Sequence, residues 1–208
     1  MIAEFLNRRP VKKLVVSSVV PTKNSAISKA AHNKAQVLWL DWKLKLGVTI
    51  DYPKPESIGA DRLANAAAVA ELYGWPAIAV DFGTAATFDV VSEGRRYIGG
   101  VIAPGINLSL HALEMAAAKL PSIRIRRTER VIGRDTVSCM QSGIYWGYIG
   151  LVEGLVKRIR AERGERMDVI ATGGLAPLFA GATEIIGHVD ADLNLWGLRL
   201  IYHLNHKR

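Results

Sequence analysis

Cysteine is nearly missing from this sequence: the 208 residues contain one, Cys139. An internal disulfide and a cysteine-based metal cluster are therefore excluded. The expectation for Cys139 is a small packing residue inside a helix, the usual state of a free cysteine. Long apolar runs are missing too, and no window has the uninterrupted length that a membrane-spanning helix requires. The opening residues carry Glu4, Arg8 and Arg9 where a secretory leader needs an apolar segment, so a cytoplasmic protein is expected. His32, His111, His188, His203 and His206 are scattered without metal-ligand spacing. A Walker loop, a Rossmann glycine fingerprint and a Ser-His-Asp signature are not found. Acids are fewer than bases, 19 against 27, for a formal charge of +8. That excess suits an anionic partner. Yet the densest basic stretch, Arg124, Arg126, Arg127, Arg130 and Arg134, has no interleaved aromatics to stack bases, so nucleic acid is not an expected partner. A solvated face is the simpler reading of those arginines.

What is present is ample apolar material. Half of the residues are hydrophobic, enough for a buried core. Strands are expected at Lys13 to Val20, Val37 to Leu40, Ala77 to Phe82, Thr87 to Ser92, Arg96 to Ala103, around Ile123 to Ile125, and at Met167 to Ala171. Helices are expected at Ser25 to Asn33, Ser57 to about Tyr73 with Gly74 as its stop, Ile106 to Ala118, Asp135 or Thr136 to about Ala161, Leu175 to Ala180, and Leu195 to Leu204. Gly143, Gly147, Gly150 and Gly154 recur along the long helix. Each costs up to about 1 kcal/mol relative to alanine, which close approach of a backbone or ligand ordinarily offsets. Strands alternating with helices after an antiparallel triplet predict an α/β fold with a mixed sheet.

Asp81-Phe82-Gly83-Thr84-Ala85-Ala86-Thr87 stands out between two apolar strands. A glycine lets a ligand approach the backbone, free N–H groups and hydroxyls cradle phosphate, and a carboxylate holds a cation or its water. Gly59-Ala60-Asp61-Arg62 opens a helix. Asp61 either stabilises the helix start through the dipole, with Arg62 solvated, or acts as a base beside an anion-gripping arginine. Thr172-Gly173-Gly174, between strand and helix, is either a second ligand-approach turn or an ordinary Gly-Gly connection.

Taken together, Ile58 to Asn65, Val80 to Asp89, Gly99 to Gly105, Thr136 to Gly143, Ala171 to Ala176 and Gly197 to Tyr202 resemble the type III pantothenate kinases, in order along the chain from about Val15 to Asn205. The resemblance implies two ribonuclease-H-like domains of the actin-like ATPase superfamily, here 1–75 and 76–208. It implies ATP-dependent phosphorylation of pantothenate, the first step of coenzyme A synthesis, with a monovalent cation (potassium or ammonium) and a divalent metal such as magnesium. It also implies a homodimer. By motif position, Asp61 is the proton acceptor. Tyr52, Gly59, Ala60, Arg62 and Thr136 contact pantothenate, with Thr136 reaching from the partner subunit. Asp81 binds the monovalent cation and Thr84 the ATP phosphates.

One departure accompanies the resemblance. The family's opening Asp-x-Gly-Asn-Thr phosphate loop does not occur in these residues, so the first domain is expected to be truncated at its N-terminal side. Phosphoryl transfer needs charge neutralisation from both sides of the phosphates. Either a complete kinase has a longer chain, or this is a non-catalytic accessory relative that retains the pantothenate side.

Overall fold

The computed structural model describes residues 2–8, 10–116 and 120–206. The chain opens with helix α1 (Ile2–Arg8), strand β1 (Lys13–Val16), helix α2 (Pro21–Ala31) and strand β2 (Gln36–Trp39). β1 and β2 pair in parallel, Leu14 opposite Val37 and Val16 opposite Trp39, with α2 as the crossover. β1 is shorter than expected, and Pro21 begins a helix instead of merely ending a strand. Its fixed φ and missing N–H suit a first helical position.

A second, larger sheet holds six strands. They are β3 (Thr49–Ile50), β4 (Ala77–Phe82), β5 (Ala85–Ser92), β6 (Arg96–Pro104), β7 (Asp168–Thr172) and β8 (His188–Val189), in the spatial order β3-β6-β5-β4-β7-β8. β4, β5 and β6 form an antiparallel meander, while β7, β8 and β3 join in parallel. The expected mixed sheet is present. β3 comes from the first 75 residues and pairs with β6, so the larger sheet draws on both sides of position 75.

Helix α3 (Ala60–Leu72) follows a short 3-10 turn at Pro55–Ser57, and extended Ile58 and Gly59 separate the two. The helix therefore starts three residues later than expected. It packs against the C-terminal helix α7 (Leu193–Asn205) and the sheet. The two helices approach so closely that a Cβ on Gly197 would collide with the Ala64 backbone. Ala64, Ala66, Ala67 and Ala70 make this fit possible, all at most 2 % exposed.

On another face of the sheet lie α4 (Ile106–Ala116), the 28-residue α5 (Thr136–Arg163) and the short α6 (Ala176–Phe179). The expected end of α4 at Ala118 lies outside the described residues. Asp135 caps α5 reciprocally with Ser138, its carboxylate accepting the Ser138 N–H at 2.9 Å. Met140, Ile144, Tyr148, Val152 and Val156 face the core with Phe88, Val80 and Phe179. Burying each large apolar side chain contributes roughly 1.5–3 kcal/mol.

Two expectations are corrected. Cys139 is exposed, because it precedes the buried Met140 by one position and so points off the apolar face. Ile123 to Ile125 form no strand; alternate residues tuck against the core, but no strand pairs with them, and the Ile123 N–H is taken by Glu114 at 3.0 Å. Gly143, Gly147 and Gly150 lie on the exposed face of α5 with nothing within 4 Å of an added Cβ, so no close approach within the chain explains them.

Candidate active site

Asp61 and Arg62 are the second and third residues of α3. The Asp61 carboxylate folds back on the helix start, where its Oδ1 accepts the Arg62 N–H at 2.8 Å. A Cβ on Gly59 would lie 2.6 Å from that oxygen, so the glycine leaves the carboxylate its place. Asp61 borders a cleft of about 550 Å³ together with Leu6, Leu14, Val16 and Leu198. Asn194 of α7 donates to the Asp61 carbonyl and to Asn65 Oδ1, both at 3.0 Å. Asn65 in turn donates to Asp81 Oδ2 at 3.0 Å. An amide relay thus connects the Asp61 backbone to the tip of the β4–β5 hairpin.

At that tip, Gly83 and Thr84 are exposed. The turn is braced from both sides: Gly83 N–H donates to the Ala85 carbonyl and Gly105 N–H to the Thr84 carbonyl, each at 3.1 Å. The Thr84 hydroxyl has no partner among the described residues. β4 pairs with β7 so that Asp81 lies opposite Thr172, which brings Thr172-Gly173-Gly174 beside the tip. Gly173 sits at φ +91°, and a Cβ there would be 2.5 Å from Asp81 Oδ1 and 2.8 Å from the Phe82 carbonyl. Two oxygens therefore border a space that only glycine keeps open. Burial raises the Asp81 pKa; the Asn65 hydrogen bond opposes the shift and the Asp61 charge adds to it. A half-buried acid with one amide partner is suited to a hard cation. Among the described residues no three His, Cys, Asp or Glu side chains converge as a metal cage, so a divalent ion here would take most of its ligands from phosphates and water.

Further along the hairpin, Asp89 is completely buried. Arg62 Nε donates to its Oδ1 at 2.7 Å, the Tyr97 hydroxyl to the same oxygen at 3.1 Å, and Thr87 Oγ1 to Oδ2 at 3.3 Å. Burial pushes the Asp89 pKa up to about 6 against the opposing pull of Arg62. For Arg62, burial acts to lower the pKa, but the Asp89 charge and its hydrogen bond turn the net shift upward. The guanidinium also stands 5.9 Å from the Tyr97 ring centre.

Most of the expected site residues are brought together. Gly59, Ala60, Asp61 and Arg62 form the start of α3, and Asp81 and Thr84 lie on the hairpin that α3 faces. Tyr52 is half-buried, with its ring 6.4 Å from that of Tyr97 and 3.1 Å from where a Gly99 Cβ would sit. Thr136 stands apart, exposed on the first turn of α5 beside the arginine-rich 126–134 segment. Four participants had been given no role: Asn65, Asp89, Tyr97 and Asn194. Asp89 carried a usable signal, an acid between Phe88 and Val90 within an apolar strand; Asn194 carried none.

A mixed sheet flanked by helices, with two acids and a braced glycine–hydroxyl turn on one hairpin and an arginine set against it from α3, is an α/β arrangement suited to phosphoryl transfer. Residues 1–158 match the family model for type III pantothenate kinase. A type III pantothenate kinase of Paramagnetospirillum magneticum is 53 % identical over 205 residues, covering 97 % of this chain and 79 % of the relative. One from Caulobacter vibrioides is 50 % identical over 204 residues, covering 96 % and 78 %. The fold is shared with a solved structure described as a "conserved putative Baf family transcriptional activator" of Campylobacter jejuni, with a TM-score of 0.66 at 19 % identity, covering 96 % of this chain and 86 % of that one. The chain belongs to the type III pantothenate kinase family, and the family's kinase activity implies ATP as co-substrate. No helix among the described residues is long and apolar enough to cross a membrane.

Proposed function

We propose that this chain phosphorylates pantothenate with ATP in the first step of coenzyme A synthesis, with Asp61 as general base. The observation that carries the reading is the gathering of Asp61, Arg62 and Asp81 around α3 and the β4–β5 hairpin. Asp61 has one carboxylate oxygen without a hydrogen-bond partner among the described residues and borders an open cleft, as a proton acceptor must. In the reaction the pantothenate hydroxyl loses its proton to Asp61, its oxygen bonds to the terminal phosphorus of ATP, and the bond to the ADP oxygen breaks. Arg62, with Gly59, Ala60 and Tyr52 around it, grips the anionic substrate. Thr84 faces the phosphates. Asp81 would hold potassium or ammonium, while a magnesium ion bound with ATP would supply charge neutralisation for the transferring group.

The same reading has the chain working in the cytoplasm as a homodimer, with Thr136 completing the partner's pantothenate site. The separation of Thr136 from Asp61 and the uncovered glycine face of α5 support this. It also includes two ribonuclease-H-like domains, 1–75 and 76–208, with β3 reaching across. Asp61→Asn tests the chemistry: pantothenate-dependent release of ADP in potassium and magnesium should fall by about 10²–10⁴-fold, while the unfolding midpoint stays within a degree or two. Turnover within about tenfold of the parent would remove Asp61 from the role of base.

A further inference from the structure

Arg62 touches its carboxylate side-on. Asp89 accepts from Nε at 2.7 Å, and neither terminal nitrogen has a hydrogen-bond partner among the described residues. The two terminal nitrogens form the end of the guanidinium that matches a carboxylate bidentately. Arg62 Nη2 lies 3.2 Å from where a Gly100 Cβ would be, so the fork passes over bare backbone on β6. The Arg62 side chain remains 12 % exposed while that of Asp89 is 0 % exposed. Asp89 therefore cannot meet a substrate, whereas Arg62 keeps some exposed surface. Asp89 is itself held in place by Tyr97 on β6 and Thr87 on β5.

We propose that Asp89 is a positioning residue for pantothenate: it grips Arg62 by Nε, and Tyr97 and Thr87 lock it, so that the terminal fork is presented to the substrate's anionic group. This rests on the pantothenate kinase reading. A preset fork binds without first ordering a long flexible side chain. The interaction acts equally on bound substrate and transition state, so its loss appears in KM and leaves kcat nearly unchanged.

Steady-state kinetics on the whole chain test it. Asp89→Asn keeps the shape and one acceptor but removes the charge. It should raise the KM for pantothenate about tenfold, leaving kcat and the KM for ATP within about twofold. In an Arg62→Lys background, which has no Nε to grip, adding Asp89→Asn should raise that KM no further, because the two residues act as one unit. Multiplicative effects in the double variant, or equal rises in both KM values, would overturn the proposal. Should Asp89→Asn fail to fold, Tyr97→Phe decides. It removes one lock from Asp89 without touching substrate, and a rise of about two- to threefold in the KM for pantothenate is expected, an unchanged value counting against the inference. A parent protein that does not phosphorylate pantothenate counts against the functional reading. An active parent whose folded Asp89→Asn variant keeps its KM counts against this inference alone.

Discussion

The tip and the middle of the β4–β5 hairpin each carry an aspartate facing α3, and the two have opposite fates. Asp89, in the middle, is fully buried and saturated by Arg62, Tyr97 and Thr87. Asp81, at the tip, is half-buried with a single amide donor, beside a glycine turn that keeps space over its other oxygen. Burial raises both pKa values. One carboxylate has its compensation supplied by the fold; the other is left short of donors, and a bound cation would supply the remainder. The difference separates a carboxylate saturated by the fold from one left with open space over an oxygen.

The sharpest way to break the comparison is to remove each acid in turn. Asp89→Ala leaves the Arg62 guanidinium partly buried without its counter-charge and should cost about 3–5 kcal/mol of stability, read from urea unfolding. Asp81→Asn should cost no stability, because it deletes a half-buried charge that has one neutral partner, yet it should abolish the response of turnover to potassium. A stability loss at Asp81 equal to that at Asp89 would erase the distinction.

Titration gives the next effect. The folded-state pKa of Asp89 is about 6, against an ordinary value of 3.8. The folded protein thus holds this proton more tightly than the unfolded chain. Its contribution to stability is fully present below about pH 4 and is lost as pH rises through about 6. Unfolding midpoints measured across that window should show a component that falls with rising pH and disappears in Asp89→Asn. The smallest effect is expected at the tip's hydroxyl. Thr84→Val should weaken ATP binding by about 1 kcal/mol, a several-fold rise in the KM for ATP, without changing the KM for pantothenate.

Much of this was legible beforehand. The hairpin strands, the α3 and α5 helices and the cap at Asp135 follow from local apolar spacing and terminal residues. The Asp61–Arg62 pair at the start of α3 and the Gly83–Thr84 turn at the tip were visible as contiguous runs, and the fold sets them on neighbouring elements. What was misread depended on partners distant in sequence. Ile123 to Ile125 had strand-forming side chains but found no neighbouring strand. Cys139 had a helical context but fell on the wrong face by one residue.

By itself, then, the sequence determined the α/β class, the order of the main elements, and which short runs carry an acid, an arginine or a glycine–hydroxyl turn. Local propensity, binary pattern and motif spacing are properties of neighbours along the chain. Only the tertiary structure decided which acid is saturated and which is left open. It set Asp89 against Arg62 across 27 positions and Asn194 against Asp61 across 133. Whether a carboxylate is saturated or left open depends on how many donors the packed elements bring to it, and that number is not written in its sequence neighbours.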